Sequence, residues 1–207
     1  MSASPDLLDL LGGPVHEVAP LLLGSVLTHG GVSVRLTEVE AYGGDDDPGS
    51  HAYRGRTPRN AVMFGPAGVL YVYFTYGMHH CANVVCGPEG TASAVLLRAG
   101  ELVDGLDSAR VRRPGASDRD LARGPARLCK ALGIDLELDG ARLDQGPVRL
   151  EVVDTPGTEI VSTGPRVGLR GAPDRPWRYW LTGERTVSAY RPATARPRPQ
   201  RSDLRKQ

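Results

Sequence analysis

The sequence predicts an α+β fold: one domain over residues 1–190, in which a curved, mostly antiparallel β-sheet is flanked by helices and carries a protruding β-hairpin, followed by a basic tail over 191–207. Three observations carry that prediction. β-Branched and aromatic residues crowd the middle of the chain, while helix-like patterns lie on either side of them. No strand-helix-strand alternation recurs, and neither a GxGxxG motif nor a P-loop is present. A length of 207 residues with 40% hydrophobic content is enough for one sizeable core.

The elements follow in order. PDLLDLLGG and EVAPLLLGS read as two short helical pieces, the first stopped at Gly12-Gly13 and the second before Gly24. From Val32 the apolar period becomes two, with Val32, Val34 and Leu36 on one face; a regular strand would carry Glu38 and Glu40 onto that same apolar face. EAYGGDDDPGSHAYRGRTPRN reads as a long loop, and ordered loops of that length are usually functional. TPRNAVMF is expected to form a helical turn with Thr57 as its cap and Pro58 at its first position.

VLYVYFTYGMHHCANVV reads as two antiparallel strands around a tip near Tyr76 and Gly77, and SAVLLRA as a further strand. GELVDGLDSARVRRPGASDRD is read as a basic helix followed by a loop. GPARLCKALG is a helix from Gly124 and Pro125 to a stop at Gly133, burying Leu128 and Leu132. VRLEVVD, PRVGLRG and WRYWLTG are expected as strands, and RPATARPRPQRSDLRKQ has too few apolar residues to fold.

Composition narrows the function classes. No stretch approaches the roughly 20 apolar residues of a membrane span, and MSASPDLLDL has no positive segment ahead of an apolar run, so a cytoplasmic, nucleoid-associated bacterial protein is expected. Cys81, Cys86 and Cys129 are odd in number and lie in apolar segments, which favours reduced, buried thiols. His79, His80, Cys81 and Cys86 invite a metal reading. No CxxC or HxxxH spacing supports it, and adjacent strand residues point to opposite faces, so neither metal nor cofactor is expected. The net charge is only +1, yet residues 1–109 carry −7 and residues 110–207 carry +8. Either the second half supplies a basic face for phosphates, or arginine and acidic residues are interspersed on a solvated surface.

Two features carry chemistry. Glu40 closes a strand with Ala41 and Tyr42 after it; in apolar surroundings such a carboxylate is a candidate general base, whereas a bulge at Glu38 would turn it to solvent. Tyr71, Tyr73 and Tyr76 fall within six positions of a chain that is 5% aromatic. Alternation puts Tyr71 and Tyr73 on one face, where they could stack on a ligand or fill the core.

The stretch TEVEAYGGDDDPGSHAYRGRTPRNAVMFGPAGVLYVYFTYGMHHCANVV closely resembles the alkyladenine (3-methyladenine) DNA glycosylase family. Further matches at AVLLRAGE, RGPARLCKALGI, RVGL and RPWRYWLTG extend the resemblance from about Leu21 to Tyr190. It implies a monofunctional glycosylase that flips a damaged purine out of double-stranded DNA and acts as a monomer without cofactor. By that resemblance Glu40 deprotonates the water that attacks C1′, Arg98 positions the water, and the Val167 carbonyl accepts a hydrogen bond from it. Tyr42 would stack on one face of the base, and His51 and Tyr73 would contact the other, with the His51 region hydrogen-bonding the purine edge. Tyr76 would fill the gap left in the duplex, and Asn83 would crowd the 2-amino group of guanine. At His79 and His80 the chain departs from the tyrosine and phenylalanine of vertebrate members.

These residue types suit the chemistry. A base inside a duplex is out of reach, and extracting it costs a few kcal/mol that an aromatic sandwich and a plug can offset. Electron-poor alkylated purines stack well on tyrosine and are already good leaving groups. The only lysines are Lys130 and Lys206, both far from the motif, so a Schiff-base lyase mechanism is not expected. Two rivals remain at this level: a non-catalytic module for distorted DNA, and a hydrolase of free nucleosides.

Overall fold

Residues 7–75, 77–152, 161–169, 171–172 and 174–193 are described by the structure, a computed structural model. Leu7–Leu11 (α1) ends at the Gly12-Gly13 pair, and Val15–Leu21 (α2) ends just before Gly24, as the punctuation predicts. Val26–His29 (β1) then turns through Gly30 and Gly31, both at positive φ, into Val32–Tyr42 (β2). Two consecutive left-handed residues are what a tight hairpin turn requires. Strand β1 is absent from the sequence-based expectation, although Gly-Gly between two apolar runs is its signal.

Leu70–Thr75 (β3) and His79–Val85 (β4) form the expected hairpin, and Ala94–Asp104 (β5) continues the meander. β5 absorbs the GELVD segment expected as helix; the helix is confined to Leu106–Arg112 (α3). Pro125–Leu132 (α4) starts on proline and stops at Gly133 with φ 73°, burying Leu128 and Leu132 as expected. Arg149–Glu151 (β6), Val161–Gly164 (β7) and Arg178–Leu181 (β8) complete the described strands.

All strand pairs among the described residues are antiparallel, in the order β3-β4-β5-β2-β1-β6, with β8 also pairing β2 and β7 pairing β8. β2 is the spine. One edge is covered by β5; the other is shared by β1 along its first half and β8 along its second. The predicted α+β class, with its antiparallel sheet and flanking helices, is therefore correct.

The sheet has an apolar layer on each face. On one, α2 and α4 pack over Leu36, Val39, Ala41, Val84, Val95 and Leu97 in the main core. On the other, Ala52, Met63, Val69, Tyr71, Val85, Ala92 and Ala94 form a smaller cluster beneath the 43–60 loop. Burial of each large side chain is worth roughly 1.5–3 kcal/mol, so the two layers fix which way every strand residue points.

Three further expectations need correction. The turn in TPRNAVMF is a 3-10 turn over Ala61–Phe64, not a helix from Pro58. Asn60 displaces the cap: its carbonyl accepts from the Thr57 amide at 2.6 Å and its amide donates to the His51 and Gly55 carbonyls. PRVGLRG holds no strand among its described residues; the strand is β7, just before it. Finally, Glu38 and Glu40 leave the face of Val32, Val34 and Leu36. The β2/β5 register shifts between Leu36 and Val39, leaving Thr37 and Arg98 without cross-strand partners. The shift reverses the alternation, so Val39 and Ala41 enter the main core and the two glutamates turn to the opposite face. They do not reach solvent there, for both are 0% exposed.

Candidate active site

Cross-strand register lines up the site. Residues directly opposite each other in a sheet share a face, and Tyr71, Asn83, Leu96, Glu40 and Arg178 form one row across β3, β4, β5, β2 and β8. Tyr73 and Tyr42 lie two residues beyond Tyr71 and Glu40 on the same face.

Glu40 is the acceptor at the centre of this row. Its Oε1 receives the Val167 amide at 2.6 Å, and its Oε2 receives the Tyr42 hydroxyl at 2.8 Å and Arg98 Nη1 at 3.2 Å. A carboxylate offers about four lone-pair directions, so one remains open at Glu40. Burial, followed by the charge of Glu40, pushes the Tyr42 phenol well above its ordinary pKa, and Tyr42 therefore remains a donor.

Glu38 is saturated instead. It accepts from Arg98 Nε at 2.8 Å, Arg178 Nε at 2.8 Å, and both the amide and hydroxyl of Ser188 at 2.6 and 2.9 Å. Burial alone would raise its pKa; the Arg98 and Arg178 guanidinium groups override burial and hold it below the ordinary value. Burial likewise works against the charged form of Arg98, and the two glutamates outweigh it.

Beside Glu40 opens a cleft of about 360 Å³ lined by Tyr42, Gly49, His51, Met63, Tyr71, Tyr73 and Asn83. His51 stands edge-on to Tyr73, with ring centroids 4.5 Å apart and an interplanar angle of 82°. Its Nδ1 lies 3.1 Å from the Tyr71 hydroxyl, and the Asn83 amide donates to the Tyr71 carbonyl at 3.0 Å. Burial, with the Arg59 charge adding to it, lowers the His51 pKa and favours the neutral ring. Burial also raises the phenols, Tyr71 to about 12 and Tyr73 further still.

On the far side of Arg98 a second groove, about 750 Å³, is lined by Arg98, Arg123, Arg127, Val167, Ser188 and Arg191 together with Asp120 and Ala189. Arg123 is held by the Val187 carbonyl at 2.8 Å and by Asp120 at 3.3 Å. Arg98 is neutralised by Glu38 and Glu40, and the other three guanidinium groups against one carboxylate make this a cationic groove.

The structure thus brings Glu40, Arg98, Val167, Tyr42, His51, Tyr73 and Asn83 together. Tyr76 lies outside the described residues, as do positions 194–207 of the expected tail; its neighbours Thr75 and Gly77 are at the hairpin tip, where Met78 is 70% exposed. His80 packs on Phe74 with ring centroids 5.1 Å apart. Among the described residues no group of three or more His, Cys, Asp or Glu gathers as metal ligands, and no helix is long and apolar enough to cross a membrane. Sequence reasoning missed Glu38, Arg178, Ser188, Asp47 and Arg166. Glu38 had a signal in its i−2 spacing from Glu40; the others are recruited across more than a hundred residues and had none.

A buried carboxylate with several donors, set between an aromatic cleft and a cationic groove, is an arrangement that a planar ring attached to a polyanion would fit. The profile of the methylpurine-DNA glycosylase family matches residues 9–185, and the chain belongs to that family; it is a DNA glycosylase. It is similar to provisionally named 3-methyladenine DNA glycosylases of Frankia casuarinae (54% identity, covering 95% of this chain and 97% of that one) and Streptomyces avermitilis (53%, covering 96% and 99%). A relative of the same name from Nocardia farcinica is 58% identical over 85% of this chain and 87% of its own.

Proposed function

We propose that this chain, acting as a monomer, flips damaged purines out of duplex DNA and hydrolyses their N-glycosidic bond with a water activated by Glu40. Alkylated purines are the first substrate class, with deaminated and etheno purines beside them. The observation that carries the reading is the placement of Glu40: fully buried, accepting three hydrogen bonds, between the aromatic cleft and the arginine groove.

Arg123, Arg127 and Arg191 would take backbone phosphates, which supply most of the sequence-independent affinity for DNA. The flipped base would enter the cleft with Tyr42 on one face and His51 and Tyr73 on the other, at roughly 1–3 kcal/mol of stacking per base. Tyr76, from its position in the β3–β4 hairpin, would fill the gap in the duplex. A neutral His51 sets no charge against a cationic purine, and can hydrogen-bond the purine edge. Asn83, fixed through its amide, would crowd the 2-amino group of guanine.

In the chemical step the water oxygen forms a bond to C1′ while the bond from C1′ to the base nitrogen breaks. The electron pair of that bond leaves with the base: it cancels the positive charge of an alkylated purine, whereas a neutral hypoxanthine or ethenoadenine must in addition take up a proton from solvent as it departs. The water gives one proton to Glu40; Arg98 orients it and the Val167 carbonyl accepts its other hydrogen. General-base catalysis of this kind contributes about 10²–10⁴-fold. A labelled duplex with one ethenoadenine or hypoxanthine should therefore be nicked after alkali treatment by wild type, and by Glu40→Gln at a rate lower by at least about 10²-fold. Equal rates would remove Glu40 from the role of base.

A further inference from the structure

Behind Tyr42, on the side away from the cleft, lies a buried ion pair that the proposed reaction does not use. Arg166 and Asp47 are joined by two bonds, Nη1 to Oδ2 at 2.6 Å and Nη2 to Oδ1 at 2.7 Å, and both side chains are fully buried. Arg166 Nη1 also donates to the Ala41 carbonyl at 2.9 Å, next to Tyr42 in the chain. The guanidinium carbon lies 4.7 Å from the centroid of the Tyr42 ring and 5.4 Å from that of Trp177.

Asp47 is fixed in turn by the amides of Gly43 and Gly49, both at 3.0 Å. A Cβ on Gly49 would come within 2.8 Å of Arg166 Nη2, so glycine there lets the loop close over the pair. Arg166 Nε has no hydrogen-bond partner among the described residues, which leaves Asp47 as the one carboxylate among them that neutralises this guanidinium.

We infer that the Asp47–Arg166 pair positions Tyr42 and sets the electrostatic preference of the cleft between cationic and neutral purines. The inference rests on the reading of Tyr42 as a stacking platform. A base stacked on the open face of Tyr42 at the usual spacing of about 3.5 Å lies roughly 8 Å from the guanidinium, through a ring and away from water. As a pair, the two charges cancel at that distance. Unpaired, Arg166 would repel a cationic alkylpurine and leave hypoxanthine almost untouched; an unpaired Asp47 would do the reverse. Each unpaired charge at such a distance and an effective dielectric near 20 is worth about thirtyfold in relative rate. A merely structural brace would slow both substrates alike.

The test compares Asp47→Asn, Arg166→Gln and the double variant with wild type in the same full chain. Release of 3-methyladenine from dimethyl sulfate-treated duplex and of hypoxanthine from an inosine-containing duplex is followed by chromatography, and kcat/KM is taken for each. Asp47→Asn should lower the 3-methyladenine to hypoxanthine ratio by about thirtyfold. Arg166→Gln should raise it, and the double variant should return it towards wild type. If one single variant fails to fold, the sign of the other still decides. Equal losses on both substrates, or shifts of the same sign in the two single variants, would overturn the inference while leaving the glycosylase reading intact. If wild type releases neither base, the underlying reading fails and the inference goes with it.

Discussion

Glu38 and Glu40 stand two positions apart on one strand, and their partners separate their roles. Glu38 is bound by two arginines and by Ser188, whereas Glu40 keeps a lone pair free beside the cleft. Glu38→Gln would leave Arg98 and Arg178 buried without full compensation, a change that typically costs about 3–5 kcal/mol. Urea titration should show that loss in Glu38→Gln and a far smaller one in Glu40→Gln, because Arg98 in the latter keeps its bond to Glu38. The residue types at Glu40, Tyr42, His51 and Tyr73 are readable from the sequence through their motif. The supporting set is not: Arg178 and Ser188 meet Glu38 from positions 140 and 150 residues away, beyond the reach of any local pattern.

Among the elements, β2 decides the most. Its register shift around Thr37 turns the glutamates from the main core to the face of the candidate site, and periodicity over Val32–Leu36 predicts the opposite. Deleting Thr37 should put Val39 and Ala41 in simple alternation with Leu36 and so keep them in the core with Glu38 and Glu40 on the opposite face; the deletion variant is expected to unfold cooperatively, with a loss confined to the Thr37–Thr186 hydroxyl bond and the local pairing, measurable by calorimetry. Helix α4 is legible end to end, since Pro125 and Gly133 act locally. Gly133→Ala should cost about 1 kcal/mol, because φ 73° is left-handed backbone, and lower Tm by roughly 2–4 °C. The turn falls at Ala61–Phe64 and not at Pro58 because Asn60 bonds to the His51 and Gly55 carbonyls, interactions that belong to the loop and not to the helix signal.

For the whole molecule, acidification should act in two stages. His51 has a pKa below its unfolded value of 6.5, so the unfolded chain binds the proton first and stability declines as pH falls below about 6.5. Glu38 has a folded pKa below 4.5, so its stabilisation is complete above that value and is lost as pH falls through the lower folded one. Chemical denaturation across this range should show both declines, and His51→Gln should remove the first alone. The cationic groove should govern affinity for the duplex. Replacing Arg123, Arg127 or Arg191 by alanine should weaken binding uniformly across sequences and reduce the slope of log K against log salt by about one for each phosphate that is no longer neutralised. Unchanged slopes would place the phosphates elsewhere.

The sequence by itself determined the α+β class, the β3–β4 hairpin and the glycine-stopped helices, which follow from short-range effects of side-chain alternation and turn geometry; the residue types of the aromatic cleft came only through the resemblance of a long motif to a known family. Only the tertiary structure decided which face Glu40 occupies, that the Val167 amide reaches it from 127 residues away, and that Arg166 and Asp47 close behind Tyr42 across 119 residues. A register shift is chosen by how neighbouring strands pack, and a buried ion pair forms only where the fold excludes water. Neither is encoded in the local pattern of residues around the positions it affects.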